Sequence, residues 1–393
     1  MEDISLDIRL QSLYSAISYR YEDHDLIWVI GDDALSYLQG QITQDLVKQT
    51  PWEDRQAFAL EPKGHVDALL SVKKINDKCF LLGVDAGFGP ELLERLKRFK
   101  IRIKADLIED KGSRLYLFNL DDTHKLQTVS GLYQDYILFY LSKILHRSKY
   151  HFDLETVPDR PSQMSANKLW SGARVYEILI PNSGASIDIE DGMRLAIDSF
   201  VNEFAIIDKE TFDLARICYG IPKMGYEITD KVLPASLGIN DKTVDYAKGC
   251  YTGQELVARL DARGNNVPFA LTTVVIEKFY TDRLEKDQKS FIDDESIENV
   301  RRNMDAGEIK KDYRIFSNDK EIGRITSLSA SKITPGLQLA LAFVKRDIKP
   351  GESVDIIFQS AGSTAPPILY GQGILSQIPV VNCFGAELKE IPS

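Results

Sequence analysis

"AKGCYTGQELVAR", residues 247–259, sets one of only four cysteines between a lysine–glycine step and a glycine–glutamine–glutamate run. Thr252 and Glu255 have the spacing of a capping box, which predicts a helix starting at Gly253. That helix would present Leu256, Val257 and Leu260 to a core, with Tyr251 and Leu256 as its hydrophobic staple. Glu255 and Arg259 stand four apart in the favoured order for a helical ion pair, and Gly264 is a stop. Cys250 then lies just outside a helix N-terminus, where unpaired amides and the macrodipole favour an anion. Lys248, two residues away, adds a cation, and both features favour a thiolate. Spacing alone equally allows a small apolar residue in a tight turn. The segment therefore poses a choice between an inert cysteine and a reactive one.

Outward from this stretch, the chain is 393 residues long, which predicts two or three domains. Hydrophobic content of 44% with 27% charged residues is that of a globular protein. A formal net charge of -11 repels polyphosphate, so direct nucleic-acid binding is not expected. Cys79, Cys218, Cys250 and Cys383 are far apart, with no CxxC. That spacing predicts neither a disulfide framework nor a metal site, and it fits a reducing compartment. The first 20 residues carry early acids and no apolar signal core. No stretch approaches the roughly 20 apolar residues that cross a bilayer. The expectation is a cytoplasmic protein with no membrane partner.

"HDLIWVIGDDALSYLQGQITQD" (24–45) reads as a strand, a turn at Gly31, and a helix capped by Asp32 or Asp33 and stopped near Gly40. "AFALEPKGHVDALLSVKKINDKCFLLGV" (57–84) reads as successive strands with turns at "EPKG" and "IND". "PELLERLKRFK" (90–100) reads as a helix with Leu92, Leu93, Leu96 and Phe99 on its apolar stripe and its charges opposite. Two further strand patterns follow, so this part is α+β. Residues 123–160 carry no decisive pattern. The stretch 187–225 is mostly helical, with Thr211 as a cap and Gly220-Ile221-Pro222 as its end. From Phe269 onward "FALTTVVIEKF", "YRIFSN", "EIGRITSLSA", "LQLALAFVKR", "SVDIIF" and "ILYGQGILSQI" are strand-like runs parted by turn residues. They predict an all-β barrel or sandwich, interrupted by a charge-rich insertion near 280–308.

Three segments together resemble the YgfZ/GcvT-like family, which includes the glycine-cleavage aminomethyltransferase, or T-protein. "KGCYTGQE" (248–255) matches its signature, "IGDDALSYLQGQITQD" (30–45) its early strand–helix segment, and "EPKGHVDALLSV" (61–72) its lysine–glycine turn. "GIPKMG" with "LPASLGI", and "IGRITSLS" with "LALAFVKRD", add weaker support. The resemblance implies a three-lobed ring. Residues 1–265 would form two interleaved α+β lobes that bind folate, and 266–393 a C-terminal β-barrel. It also implies a role in assembling or repairing iron–sulfur clusters in client enzymes, among them radical enzymes that modify tRNA. Tetrahydrofolate would be the cofactor, and Cys250 the residue on which activity depends. One cysteine cannot hold a cluster alone, so transient iron–sulfur or persulfide contact is the implied chemistry.

The family's folate side maps onto His24 and Phe212, where YgfZ proteins can offer tryptophans, and onto Tyr251, Gln254 and Glu255 of the signature. Each has a plainer reading. His24 precedes a strand and is expected to be exposed, Phe212 fits a core stripe, and staple and cap account for Tyr251 and Glu255. Lys248 is the candidate that tunes the thiol, against the plain reading of a solvated lysine. Two departures weaken a T-protein-like activity. The glutamate that clamps the pterin before the Gly-Ile-Pro-like turn is here Cys218, and the paired aspartates are reduced to Asp67 followed by Ala68. The leading expectation is an accessory factor rather than an enzyme. A tetrahydrofolate-dependent aminomethyltransferase is the alternative, and a folate-binding structural protein is a third.

Overall fold

A computed structural model describes residues 16–120, 122–159, 166–170, 173–182, 196–279, 313–329, 337–358 and 368–376. The charged insertion near 280–308, residues 187–194 and Cys383 lie outside these. Seven strands form one sheet: β1 (Ser18–Ile30), β2 (Asp54–Leu60), β3 (Val66–Asn76), β4 (Cys79–Asp85), β5 (Asp106–Phe118), β6 (Val175–Asn182) and the short β7 (Ala205–Ile206). Their order is β2-β3-β4-β1-β5-β6, with β7 added to β1. The two α+β parts implied by the resemblance thus share a single hydrogen-bonded sheet.

β1 is its axis, antiparallel to β5 along its whole length and to β4 from His24 to Ile30. Strand periodicity sends Ile27 and Val29 to one hydrophobic cluster, and Leu26, Trp28 and Ile30 to the other. Each of these side chains is fully buried, a stabilisation of about 1.5–3 kcal/mol apiece. β1 starts at Ser18, six residues before the expected strand. Its polar first half is held by pairing with β5 and β7 rather than by apolar pattern.

Helix α1 (Ala34–Gln39) follows Gly31, where a Cβ would stand 2.1 Å from the Lys104 carbonyl oxygen. No aspartate side chain caps α1; Asp33 instead accepts the Lys104 N–H and Asp32 pairs with Lys78. Helix α2 (Gly89–Arg98) buries Leu92, Leu93 and Leu96 as its stripe requires. One charge leaves the polar face. Arg95 is buried, where it donates to Asp67 Oδ2 at 2.8 Å and to the Leu60 carbonyl at 2.8 Å.

The undecided region opens with the 23-residue helix α3 (Thr123–Leu145), capped by Asp122, which accepts the N–H groups of His124 and Lys125. It covers the Trp28 face of the sheet. The Trp28 indole and the Tyr140 hydroxyl both donate to Asp110, at 3.1 and 2.7 Å. Helix α4 (Lys209–Tyr219) is capped by Asp208, not Thr211, whose N–H is the donor. Gly220 ends α4 in the left-handed region as expected. Two single-turn helices, α5 (Pro234–Leu237) and α6 (Asn240–Thr243), lead to α7 (Gln254–Asp261).

All six C-terminal runs become strands of a closed barrel: β8 (Phe269–Phe279), β9 (Tyr313–Ser317), β10 (Lys320–Leu328), β11 (Gln338–Lys345), β12 (Ser353–Phe358) and β13 (Ile368–Ser376). The barrel has its own core around Ile276, Ile315 and Ile356, and lends Leu271, Leu339 and Leu341 to the cluster under the sheet. Glu227, wholly buried, bolts the two parts together. It accepts from Arg216 Nη1 at 3.0 Å and the Lys223 N–H at 3.0 Å on one side, and from the Thr326 and Ser327 hydroxyls at 2.8 and 2.5 Å on the other.

Candidate functional site

The three segments singled out in the sequence meet in one place. Lys248 extends its ammonium into the turn after α1 and donates to the carbonyls of Gln39, Ile42 and Gln44 at 2.8, 2.7 and 2.7 Å. Two residues past the thiol, the Thr252 N–H donates to the Gly40 carbonyl at 3.1 Å. Gly253, with φ of 81°, rests on the "EPKG" turn; a Cβ there would stand 2.5 Å from the Glu61 carbonyl oxygen. A Cβ on Gly64 would in turn meet Leu256 Cβ at 2.8 Å. Cys250 is exposed on top of this junction, and nothing lies within 4 Å of a Cβ placed on neighbouring Gly249.

The helix entry differs from the capping box. Gly253 is the N-cap and α7 starts at Gln254. The Thr252 hydroxyl turns to Gly40, and Gln254 Oε1 accepts the Tyr251 N–H at 2.9 Å. Glu255 is exposed, and no ion pair joins it to Arg259 among the described residues. Close packing on the Glu61–Gly64 turn dictates this geometry, and a side-chain cap at Thr252 is incompatible with it. Lys248 is no solvated lysine. Burial pulls its ammonium down to about 8, and its charge sits 5.0 Å over the Tyr251 ring.

Two adjoining cavities open on this side of the sheet, and the larger of them reaches the barrel. The larger, about 710 Å³, is lined by Glu61, Asp67, Glu91 and Asp230 on one side and by Arg324 of the barrel. Burial raises the Asp67 carboxyl above its ordinary range, with Arg95 opposing. The smaller, about 460 Å³, lies between α4 and one face of β1, β5 and β6, and shares Phe88, Met224 and Tyr226 with the first. Both volumes fall in the range of small-ligand sites.

His24 and Phe212, the two folate-side candidates outside the signature, both line the smaller cavity. His24 is not exposed; it lies inside β1 at 3% accessibility with Nε2 3.4 Å from Asp85 Oδ1. Burial works against the Asp85 charge, but His24, Arg114 and the Met224 N–H hold its carboxyl well below the usual range. Phe212 packs on Tyr116 and Trp170, with ring centroids 4.7 and 5.8 Å away. Tyr251, Gln254 and Glu255 line neither cavity, nor do Cys250 and Lys248. Cys218 is buried off both walls, and Cys79 is strand core, its thiol pushed up by burial.

Sequence reading missed Arg114, Tyr116, Trp170 and Glu177, all on the smaller cavity. The signal was present as polar residues at every second position, Arg20, Glu22 and His24 on β1, with a lone Glu177 inside "VYEILI". Such alternation reads as a solvated face until a helix is known to cover it.

No family model matches the chain. It is 24% identical to a Haemophilus influenzae protein with no stated function, over 62% of this chain and 68% of that one. It is also 24% identical to the tRNA-modifying protein YgfZ of Aliivibrio fischeri, over 62% and 66%. The iron–sulfur cluster assembly factor IBA57 homolog of Dictyostelium discoideum is 23% identical over 62% and 59%. The chain thus spans about two thirds of the length of the curated relatives it matches. In structure it is similar to aminomethyltransferase T of the glycine cleavage system from Bartonella henselae. The TM-score is 0.59 at 13% identity, over 96% of this chain and 90% of that one. The chain is thus similar in sequence to proteins named YgfZ and IBA57 and shares the fold of the glycine-cleavage aminomethyltransferase.

Proposed function

We propose that the chain is a folate-binding accessory protein for the assembly or repair of iron–sulfur clusters in client enzymes, tRNA-modifying radical enzymes among them, acting through the thiol of Cys250. The observation that carries this reading is the junction itself. Three segments far apart in sequence close on one another by hydrogen bonds and glycine contacts, and what they present to solvent is Cys250. The names of the YgfZ and IBA57 relatives support the iron–sulfur role.

A thiolate is a soft ligand suited to iron and to persulfide sulfur. Bound through one thiolate, an iron centre keeps its remaining positions for client ligands, so the thiolate releases it by simple ligand exchange. Lys248 and Thr252 hold the cysteine segment in place for that exchange. The cavities fit a folate. The smaller has aromatic walls and one buried nitrogen without a hydrogen-bond partner, Arg114 Nε, beside His24, whose Nε2 faces Asp85. Tetrahydrofolate supplies a one-carbon carrier when bound. His24, Phe212 and Arg114 of the smaller cavity would hold its ring, and Arg324 lines the adjoining larger cavity on the barrel side.

The aminomethyltransferase fold keeps one-carbon transfer as the second reading. Against it, the Asp67 carboxylate is tied to Arg95 at 2.8 Å, and Cys218 is off the cavity walls. Complementation of a deletion strain separates the two. Cys250→Ser, at matched expression, should fail to restore iron–sulfur enzyme activity and tRNA methylthiolation while folate binding persists; Asp67→Asn should restore both. Full rescue by Cys250→Ser with failure of Asp67→Asn would hand the assignment to the transferase.

A further inference from the structure

One charge feature of the chain is used by neither the cavities nor the cysteine junction. Residues 95–104 read RLKRFKIRIK, six cations and no acid in ten residues, in a chain whose formal net charge is -11. Arg95 is buried, and Lys97, Arg98, Lys100, Arg102 and Lys104 follow at the end of α2 and on the loop into β5. A helix C-terminus favours cations, but the effect fades within the last turn. It accounts for Lys97 and Arg98 and not for the three beyond them. Lys97 pairs with Glu94 at 2.9 Å. The side chains of Arg98, Lys100, Arg102 and Lys104 have no hydrogen-bond or ion-pair partner among the described residues. The aspartates beside the loop are engaged elsewhere, Asp32 with Lys78 and Asp33 with the Lys104 N–H.

Amid these cations Ile101 is 75% exposed, and no large apolar side chain among the described residues is more so. The loop that displays it is pinned. Arg102 sits in the left-handed region at φ of 58°, which a residue with a Cβ disfavours. Ile103 packs against the larger hydrophobic cluster, and the Lys104 carbonyl and N–H are tied to Asp33 at 3.2 and 2.8 Å. An apolar side chain held out on a strained, fixed turn has the form of a preorganised binding anchor.

We propose that this loop is the docking surface for an acidic protein partner, whose carboxylates meet Arg98, Lys100, Arg102 and Lys104 around an apolar pocket for Ile101. Its position suits a client. Lys104 meets Asp33 at the start of α1, and the Gly40 carbonyl at the other end takes the Thr252 N–H beside Cys250. Six residues of helix are about 9 Å long. A protein interface covers about 800 Å² a side, roughly 30 Å across, so a partner on the loop is within reach of the thiol. The proposal rests on the Cys250 reading for its purpose and on the loop alone for its chemistry. RNA carries the same sign as an acidic protein, but the net charge of -11 opposes a long polyanion, while a local patch steers a partner of matching size. An anionic membrane is disfavoured by the single apolar anchor, since interfacial binding scales with buried apolar area.

Fluorescence anisotropy on the full chain tests the surface with three labelled probes. These are a decapeptide alternating glutamate and leucine, the same peptide with serine for leucine, and a single-stranded RNA of about 20 nucleotides; phosphatidylglycerol vesicles are tested by sedimentation. The glutamate–leucine peptide should bind most tightly and weaken at least about tenfold when salt rises from about 50 to about 300 mM. Ile101→Ser should weaken it about tenfold, to the level of the serine peptide. Arg98→Glu with Arg102→Glu should abolish it, with the melting temperature and the alkylation rate of Cys250 unchanged. If that reversal unfolds the chain, Arg98→Gln with Arg102→Gln takes its place and should weaken binding at least about fivefold. In the deletion strain the folded variant should restore less than about a tenth of the iron–sulfur enzyme activity. Peptide affinity untouched by these variants overturns the surface, and full rescue by the charge-reversed chain overturns its use by clients. RNA or vesicles binding more tightly than the peptide overturns the protein partner. If Cys250→Ser also rescues, the thiol reading falls, and the anisotropy result still decides the docking surface.

Discussion

Replacing Lys248 with methionine keeps the length and apolar stem of the side chain and deletes its three donors. The carbonyls of Gln39, Ile42 and Gln44 then lose the ammonium that each meets at 2.7–2.8 Å. An orphaned acceptor costs about 1–3 kcal/mol when dry, and this half-buried site lets water recover part of it, so the net loss should be about 2–3 kcal/mol. Urea unfolding of parent and variant measures it directly. Hydrogen exchange should place the damage locally, as faster exchange at Thr252 and Asp245, whose N–H groups bond the Gly40 and Thr43 carbonyls. The pH dependence supplies an independent check. Burial lowers Lys248 from 10.5 to about 8 in the folded chain, so between those values the unfolded chain holds a proton that the folded one has released. Stability contributed by this group therefore rises with pH across that window. Methionine does not titrate, so the stability gap between parent and variant should widen by about 1 kcal/mol from pH 8 to pH 10, after allowance for solvent screening. A loss below about 0.5 kcal/mol, or a gap that narrows with pH, refutes the tie.

Two further predictions follow from the same geometry. Gly253→Ala combines a left-handed backbone with a Cβ 2.5 Å from the Glu61 oxygen and should cost about 2–4 kcal/mol, whereas Gly249→Ala, with open space around it, should stay within about 0.5 kcal/mol; equal losses by thermal melting would contradict the packing. Glu227→Gln breaks the buried charge between Arg216 and the barrel and should cost about 3–5 kcal/mol in chemical denaturation, and a cost under 1 kcal/mol would mean that the barrel is held elsewhere.

The barrel was the most legible part of the chain. Each of its strands is a short strand-like run between turn residues, and all six runs became strands. The N-terminal strands and α2 were legible for the same reason, since apolar period and turn chemistry agreed. Where reading failed, a distant segment had decided. Thr252 and Glu255 have the capping-box spacing, yet Gly253 takes the cap because the Glu61–Gly64 turn presses on it. His24 looks solvated in a polar alternation, and only the cover of α4 makes it a cavity wall. The tyrosine-rich α3 showed no clean stripe because its aromatic residues at 133, 136 and 140 bury rings yet keep hydroxyls that need partners. Cys250 itself was legible, as an exposed thiol ahead of a helix. Its use of Lys248 was not, since three backbone carbonyls leave no trace in side-chain chemistry.

The tie from Lys248 to Gln39 spans 209 positions of chain. During synthesis the turn after α1 emerges early and waits, while the rest of the sheet, from β2 to β7, and α4 are made before its partner arrives. The cysteine therefore reaches its mount only on a chain whose sheet can already be complete, and an unfolded chain carries the same thiol without the mount. Presentation of Cys250 is in this sense a certificate of a closed sheet, issued before the barrel strands β8 to β13 are made.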